Sequence, residues 1–277
     1  MEPRVKTLFQ CGKLIIMKKY FRLYGHFSKF AVMKNLAYPN DFIIWSVVDI
    51  LWSVVNLGFY RILLLNIPVI SGWNFDQLIL PIGLIHLLSA FIWGLMYGNM
   101  VEIPKDVNKG TLDLYLTKPV NHQFLVSTRY VGLNLIPTFC IGIFLTWYGL
   151  VVNHVLSWAS VLLVLISLGS AVIISYSVWF MTVTLAFWVN RLQNIAEVFP
   201  HSLDIAKYPV SIYPPLARYI FIFIIPFAFL GFVPAEIILG RSPLSIIFLP
   251  ILIASVLLFL SHRFWGFALR RYSSASS

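Results

Sequence analysis

Asp49 sits inside the apolar run 42–65, where an ionised carboxylate has no solvent to stabilise it. Ser46, Asp49, Ser53, Asn56 and Tyr60 follow one another at intervals of three and four residues, which places them on one stripe of a helix. Polar groups in hydrocarbon are costly, so the stripe must face protein or water. Two roles fit it: hydrogen bonding to neighbouring helices, and lining of a substrate path. Asp49 lies about 10 Å into the run by the helical rise, and is expected to be protonated, paired or wetted. In the next apolar run His86, Ser89 and Trp93 share a face. His86 there is either a hydrogen-bonded packing residue or a ligand. Gly94 and Gly98, four residues apart, permit close approach of another helix.

A second group of polar residues follows that run. Over 101–129, Glu102, Lys105, Asp106, Lys109, Asp113 and Lys118 alternate with apolar positions, and Gly110 and Pro119 punctuate them. Leu112, Tyr115 and Leu116 fall on one face of a short helix that Pro119 would end. Such an element suits docking on a cytosolic partner; the other reading is a loop resting on lipid.

Other chemistry is missing. No glycine-rich loop ends in Gly-Lys-Ser/Thr, so ATP is not bound by that device. The six histidines are scattered, with no His-Glu-x-x-His arrangement for zinc. No Gly-x-Ser-x-Gly elbow, paired intramembrane acids or arginine ladder occurs. Of the two cysteines, Cys11 is N-terminal and Cys140 lies in an apolar run, so neither a disulfide nor a cysteine metal site is expected.

These groups are positioned by apolar helices. The 277 residues are 60% hydrophobic and 11% charged, against about 25% charged in a soluble domain. Six runs are long enough to cross a bilayer: 42–65, 78–100, 130–152, 159–189, 217–239 and 244–262. The expected fold is an all-α membrane protein of six transmembrane helices. A basic segment at 1–41 precedes the transmembrane domain 42–262, and a tail at 263–277 follows it. Residues 1–17 hold too short an apolar run for a signal peptide, and Met17-Lys18-Lys19 is an alternative start.

Placing both termini in the cytoplasm keeps 18 of the 20 Lys and Arg on the inner side. The net charge of +10 then needs only anionic lipid as its partner, and no nucleic acid. Trp45, Trp188 and Trp265 fall near the inner boundary and Trp73, Trp147 and Trp158 near the outer one, as expected for rings at head-group level. Residues 18–38 pattern as an amphipathic helix lying in the inner surface. Tyr20, Leu23, Tyr24, Phe27 and Ala31 lie on one face and Lys18, Arg22, His26 and Lys29 on another. It is an anchor, or an anchor that also touches a cytoplasmic partner. The run 159–189 must tilt or project beyond the bilayer. Residues 190–216 are assigned to the inner side by their charges, with a re-entrant element as the alternative. Pro226 and Pro234 should kink or break the fifth run.

Taken together, over about residues 18–270, the chain resembles the permease subunit of a type-2 ABC exporter. The resemblance rests on the basic interfacial helix, the six spans and the stretch Gly110-x-Leu112-Asp113-x-x-Leu116-x-Lys118-Pro119. The segment from Tyr208-Pro to Tyr213-Pro, followed by Pro226 and Pro234, adds to it. The resemblance implies that two permeases, identical or paralogous, form a core in the bacterial cytoplasmic membrane. Each would seat on a separate cytoplasmic ATPase, which holds ATP and Mg; this chain would bind no cofactor and catalyse nothing itself. Glu102, Lys105, Asp106, Gly110, Leu112, Asp113, Leu116, Lys118 and Pro119 would form the coupling element. Members of the family often carry short re-entrant helices before the last span, for which the loop 240–243 is too short. The competing classes are an ion-gradient-driven transporter or channel using Asp49, and a lipid-modifying membrane enzyme, which would need a cluster such as His86, Glu102 and His122.

Overall fold

A computed structural model describes residues 20, 22–33, 39–66, 69–133, 135–189 and 194–272. Cys11, the alternative start at Met17, Lys18 of the interfacial helix and the end of the tail lie outside the described residues. Among the described residues there is no strand, only one isolated bridge between Ile70 and Trp73. Helix α1 covers 22–33, and α2 is Pro39–Asn66. A single 35-residue span, Phe75–Lys109, comes next. It consists of α3 (Phe75–Phe91), a π-helical turn (Ile92–Met96) and α4 (Tyr97–Lys109). Two short helices, α5 (Asp113–Leu116) and α6 (His122–Thr128), return the chain to α7 (Leu135–Val152). After α8 (Trp158–Thr184) come α9 (Val198–Ser202), α10 (Pro215–Tyr219) and α11 (Phe232–Ile238), all short, and then α12 (Phe248–Arg271).

Five helices are long and apolar enough to cross a membrane: 42–65, 75–109, 135–152, 158–187 and 244–271. They coincide with five of the expected six runs. The remaining run, 217–239, is broken as its prolines predict. A π turn at Ile220–Ile224, an irregular Ile225–Pro226 step and a 3-10 turn at Phe227–Leu230 lead into α11. Irregular backbone is tolerated at membrane depth only where protein or a cavity surrounds it. Here Phe227, Ala228, Phe229, Leu230 and Phe232 are all buried. A short helix, α11, thus follows the break inside the fifth run.

The α3–α7 pair sets the depth scale. Asn153 donates to the Asp76 carbonyl at one end (2.8 Å), and Gly132 N–H to the Gly94 carbonyl at the other (2.6 Å). Between them a Cβ on Gly83 would lie 2.5 Å from Thr146 N, one on Gly142 2.7 Å from Leu87 N, and one on Gly149 3.0 Å from Leu80 Cα. These glycines let the helices touch backbone to backbone. The 18 residues of α7 span about 27 Å, close to the thickness of a hydrocarbon core. At the matching level on the long helix, Gly94, a Cβ would lie 2.2 Å from Leu135 Cβ, so the close approach there also requires glycine. From Gly94 onward the long helix continues about 20 Å beyond the level where α7 begins.

Two expectations are corrected. Trp73 and Trp265 are not head-group anchors: they are buried, Trp73 edge-on to Phe232 and Trp265 against Phe180 and Phe187. Trp45, Trp147, Trp158 and Trp188 are exposed, as a belt requires. Residues 194–207 also do not stay at the inner end. Glu197 accepts from Tyr97 OH there (2.8 Å), and Trp179 Nε1 donates to the Ala196 carbonyl (2.8 Å). Ten residues on, the Lys207 carbonyl accepts from Tyr60 OH (2.5 Å), toward the outer end of α2. Counting Lys207 as an inner-loop charge missed this climb, because its ammonium is accommodated over the Trp52 ring (5.5 Å) and against Asp204 (2.6 Å).

Candidate functional site

The polar stripe of α2 meets α3, α7 and the climbing segment around a cavity of about 310 Å³. Its lining includes Asp49, Ser53, Asn56, His86, Ser89 and Lys207. Thr138, one turn into α7, donates to Asp49 Oδ2 (2.5 Å). His86 Nδ1–H donates to the Ile82 carbonyl (2.9 Å), since a carbonyl only accepts, and Nε2 lies 2.9 Å from Ser53 Oγ. Ser53 Oγ is also 2.7 Å from the Asp49 carbonyl oxygen. One hydroxyl proton cannot serve both contacts. Either Ser53 donates to a neutral ring, or a protonated ring donates to Ser53 and Ser53 to the Asp49 carbonyl. The stripe makes interhelical bonds to His86 and Thr138 and forms one wall of the cavity. Asn56 donates back to the Trp52 carbonyl and Ser46 to the Phe42 carbonyl, so these two bond within their own helix.

The second site is the projecting turn. Gly110 ends α4 in the left-handed region (φ 73°), where a side chain would be strained. Asp106 organises the turn beyond it. Its carboxylate pairs with Arg129 (2.5 Å) and accepts from Thr111 Oγ1 (2.6 Å), while its carbonyl accepts from Leu112 N–H (3.2 Å). The Arg129 guanidinium stacks over Tyr115 (4.5 Å) and Tyr130 (5.2 Å). The face formed by Leu112, Tyr115 and Leu116 points inward, with Leu112 fully buried in the core that holds Ile103, Val126 and Trp179. The outward side carries Lys105, Lys109, Leu114, Lys118 and Pro119. Glu102 pairs with Lys105 (2.6 Å). Of the residues assigned to coupling, Asp106 and Leu112 thus hold the turn from inside. Leu114, 66% exposed one turn before Lys118, is an outward apolar residue that the sequence pattern did not single out.

The interfacial helix is tied to the same turn. Asn121 N–H donates to Tyr20 OH (3.0 Å), and the Tyr20 ring meets Phe124 edge-on at 4.8 Å. Phe27 and Ala31 face Trp93, Tyr97 and Glu102 across a cleft, whereas Arg22, Lys29 and Phe30 are exposed. The residues a lipid-modifying site would need do not converge: His86 lines the cavity beside α2 and Glu102 the separate cleft beside α1, and among the described residues no three His, Cys, Asp or Glu are placed to hold a metal ion.

Five helices long and apolar enough to span a bilayer, packed around a cavity with polar side chains in its wall, make this a multi-pass membrane protein. The chain belongs to the ABC-2 family of transporter proteins, described as ABC-2 family transporter protein, whose profile matches residues 50–276. It is the membrane component of an ABC transporter, and the family implies an ABC ATPase as partner. No curated protein and no solved structure matches the chain.

Proposed function

We propose that this chain is the permease subunit of an ATP-driven exporter in the bacterial cytoplasmic membrane. A separate cytoplasmic ATPase, holding ATP and Mg, seats on the outward side of the turn 105–119. A second permease, identical or paralogous, covers the face of α2 and residues 200–207. Substrate leaves between the two. The observation that carries this reading is the long helix Phe75–Lys109, whose residues after Gly94 run on for about 20 Å by the helical rise beyond the level where α7 begins. It ends on a turn held rigid from inside and apolar at its tip.

Depth supports the second permease. The Asp204 carboxylate is 72% exposed and pairs with Lys207, whose ammonium lies over the Trp52 ring midway along α2. Charges at such depth face protein or water rather than lipid, so this face of the subunit is not the lipid face.

Reconstitution in proteoliposomes tests the reading. Uptake of a fluorescent cargo panel into inverted vesicles should require ATP and the co-expressed ATPase, and the chain alone should hydrolyse no ATP. Movement of cargo by the chain without any ATPase contradicts the reading.

A further inference from the structure

Resting on that reading of the turn, we propose that Arg129 and Asn99 are positioning residues that carry its displacement to the intramembrane cavity. Asn99 and Asp106 are seven residues apart on α4, which places them on one face two turns from each other. They grip consecutive residues of the returning chain. Asn99 Nδ2 donates to the Tyr130 carbonyl (2.8 Å) and its Oδ1 accepts from Tyr130 N–H (2.9 Å), so the carboxamide is paired on both sides. Asp106 takes the Arg129 guanidinium, in a pair whose side chains are only 12% and 6% exposed. A third tie, Gly132 N–H to the Gly94 carbonyl, is made at the π turn. There the widened helix frees a carbonyl that an α-helix would use itself.

These ties join the projecting helix to the start of α7 at three levels, and the glycine contacts lock α7 to α3 above them. The turn, α4, α3 and α7 therefore form one stiff body. Helix α2 is the loose element: its spanning window is only 6% buried. Thr138–Asp49 and Ser53–His86 tie its middle to that body, and the Arg61 guanidinium over the Phe75 ring (5.0 Å) ties its outer end. A push on Leu114 is delivered through Arg129 and Asn99 to α7, and reaches the cavity where Thr138 holds Asp49. A coupling route is established only by showing that one site's state biases the other.

The test uses the full chain with the ATPase that co-purifies with it, in lipid nanodiscs. Cys11→Ser, Cys140→Ser and Ser89→Cys define the parent, which has one thiol on the cavity wall. The readout is the rate at which a charged methanethiosulfonate modifies that thiol, with and without ATP and Mg. The parent is expected to change its rate by about five-fold or more between the two conditions. Arg129→Lys keeps a cation for Asp106 but loses the fork, and Asn99→Ala releases Tyr130. Each is expected to bring the ratio near one while ATP is still hydrolysed. Thr138→Val, nearly isosteric, tests the far end and carries the experiment should a clamp variant fail to assemble. Variants that respond like the parent overturn the positioning role alone. A parent that does not respond overturns the functional reading as well.

Discussion

Gly142 shows how closely two backbones meet in this bundle. A methyl there would fall 2.7 Å from Leu87 N, a backbone atom that cannot rotate away. Gly142→Ala should therefore destabilise the subunit by about 1–3 kcal/mol, as other overpacked sites do, and lower its melting temperature in detergent. Gly169→Ala in α8 meets no atom within 4 Å and should leave melting unchanged or raise it. Equal melting of the two variants would contradict the seam. The sequence drew attention to Gly94 and Gly98. Gly94 proved a close contact, with Leu135, whereas a Cβ on Gly98 would meet Tyr130 at an ordinary 3.4 Å. The seam through Gly83, Gly142 and Gly149 was not legible, because it requires the register of α3 against α7. Asn99 was hidden for a similar reason: its partners are backbone atoms 31 residues away.

The turn from Gly110 to Pro119 separates two kinds of leucine. Leu112 is fully buried, and Leu112→Ala should cost stability by about 2–5 kcal/mol through the cavity it leaves. Leu114 is 66% exposed, and Leu114→Asp should leave melting intact while it abolishes stimulation of ATP hydrolysis by the permease. A loss of stability at Leu114, or of stimulation alone at Leu112, would reverse the assignment of faces. The amphipathic pattern Leu112, Tyr115, Leu116 was correctly read from the sequence as one face. Which way that face pointed was not, because it is decided by Asp106 and Arg129, residues 23 apart. The fifth run was legible as broken from Pro226 and Pro234. For 194–207 the charges favoured an inner loop over the re-entrant alternative, because the depth is fixed by long-range bonds from Tyr60 and Tyr97.

As a whole the subunit is unevenly finished. Helices α3, α4, α7, α8 and α12 share buried cores, while α2 exposes Ile43, Trp45, Trp52, Val55 and Ile62. Lipid suffices for those side chains but not for the Asp204 carboxylate beside them. Asp204→Cys, in a chain without other cysteines, should react with a water-soluble maleimide in the isolated permease. It should be protected in the assembled transporter. Equal reactivity in both states would put the second permease elsewhere. All of this presumes that the turn faces the cytosol, an orientation derived from the distribution of positive charge. The direct measurement is labelling of Leu114→Cys, in a chain lacking Cys11 and Cys140, by a membrane-impermeant maleimide. The account predicts no reaction in intact cells and full reaction in inverted vesicles from cells that lack the ATPase; reaction in intact cells would contradict it.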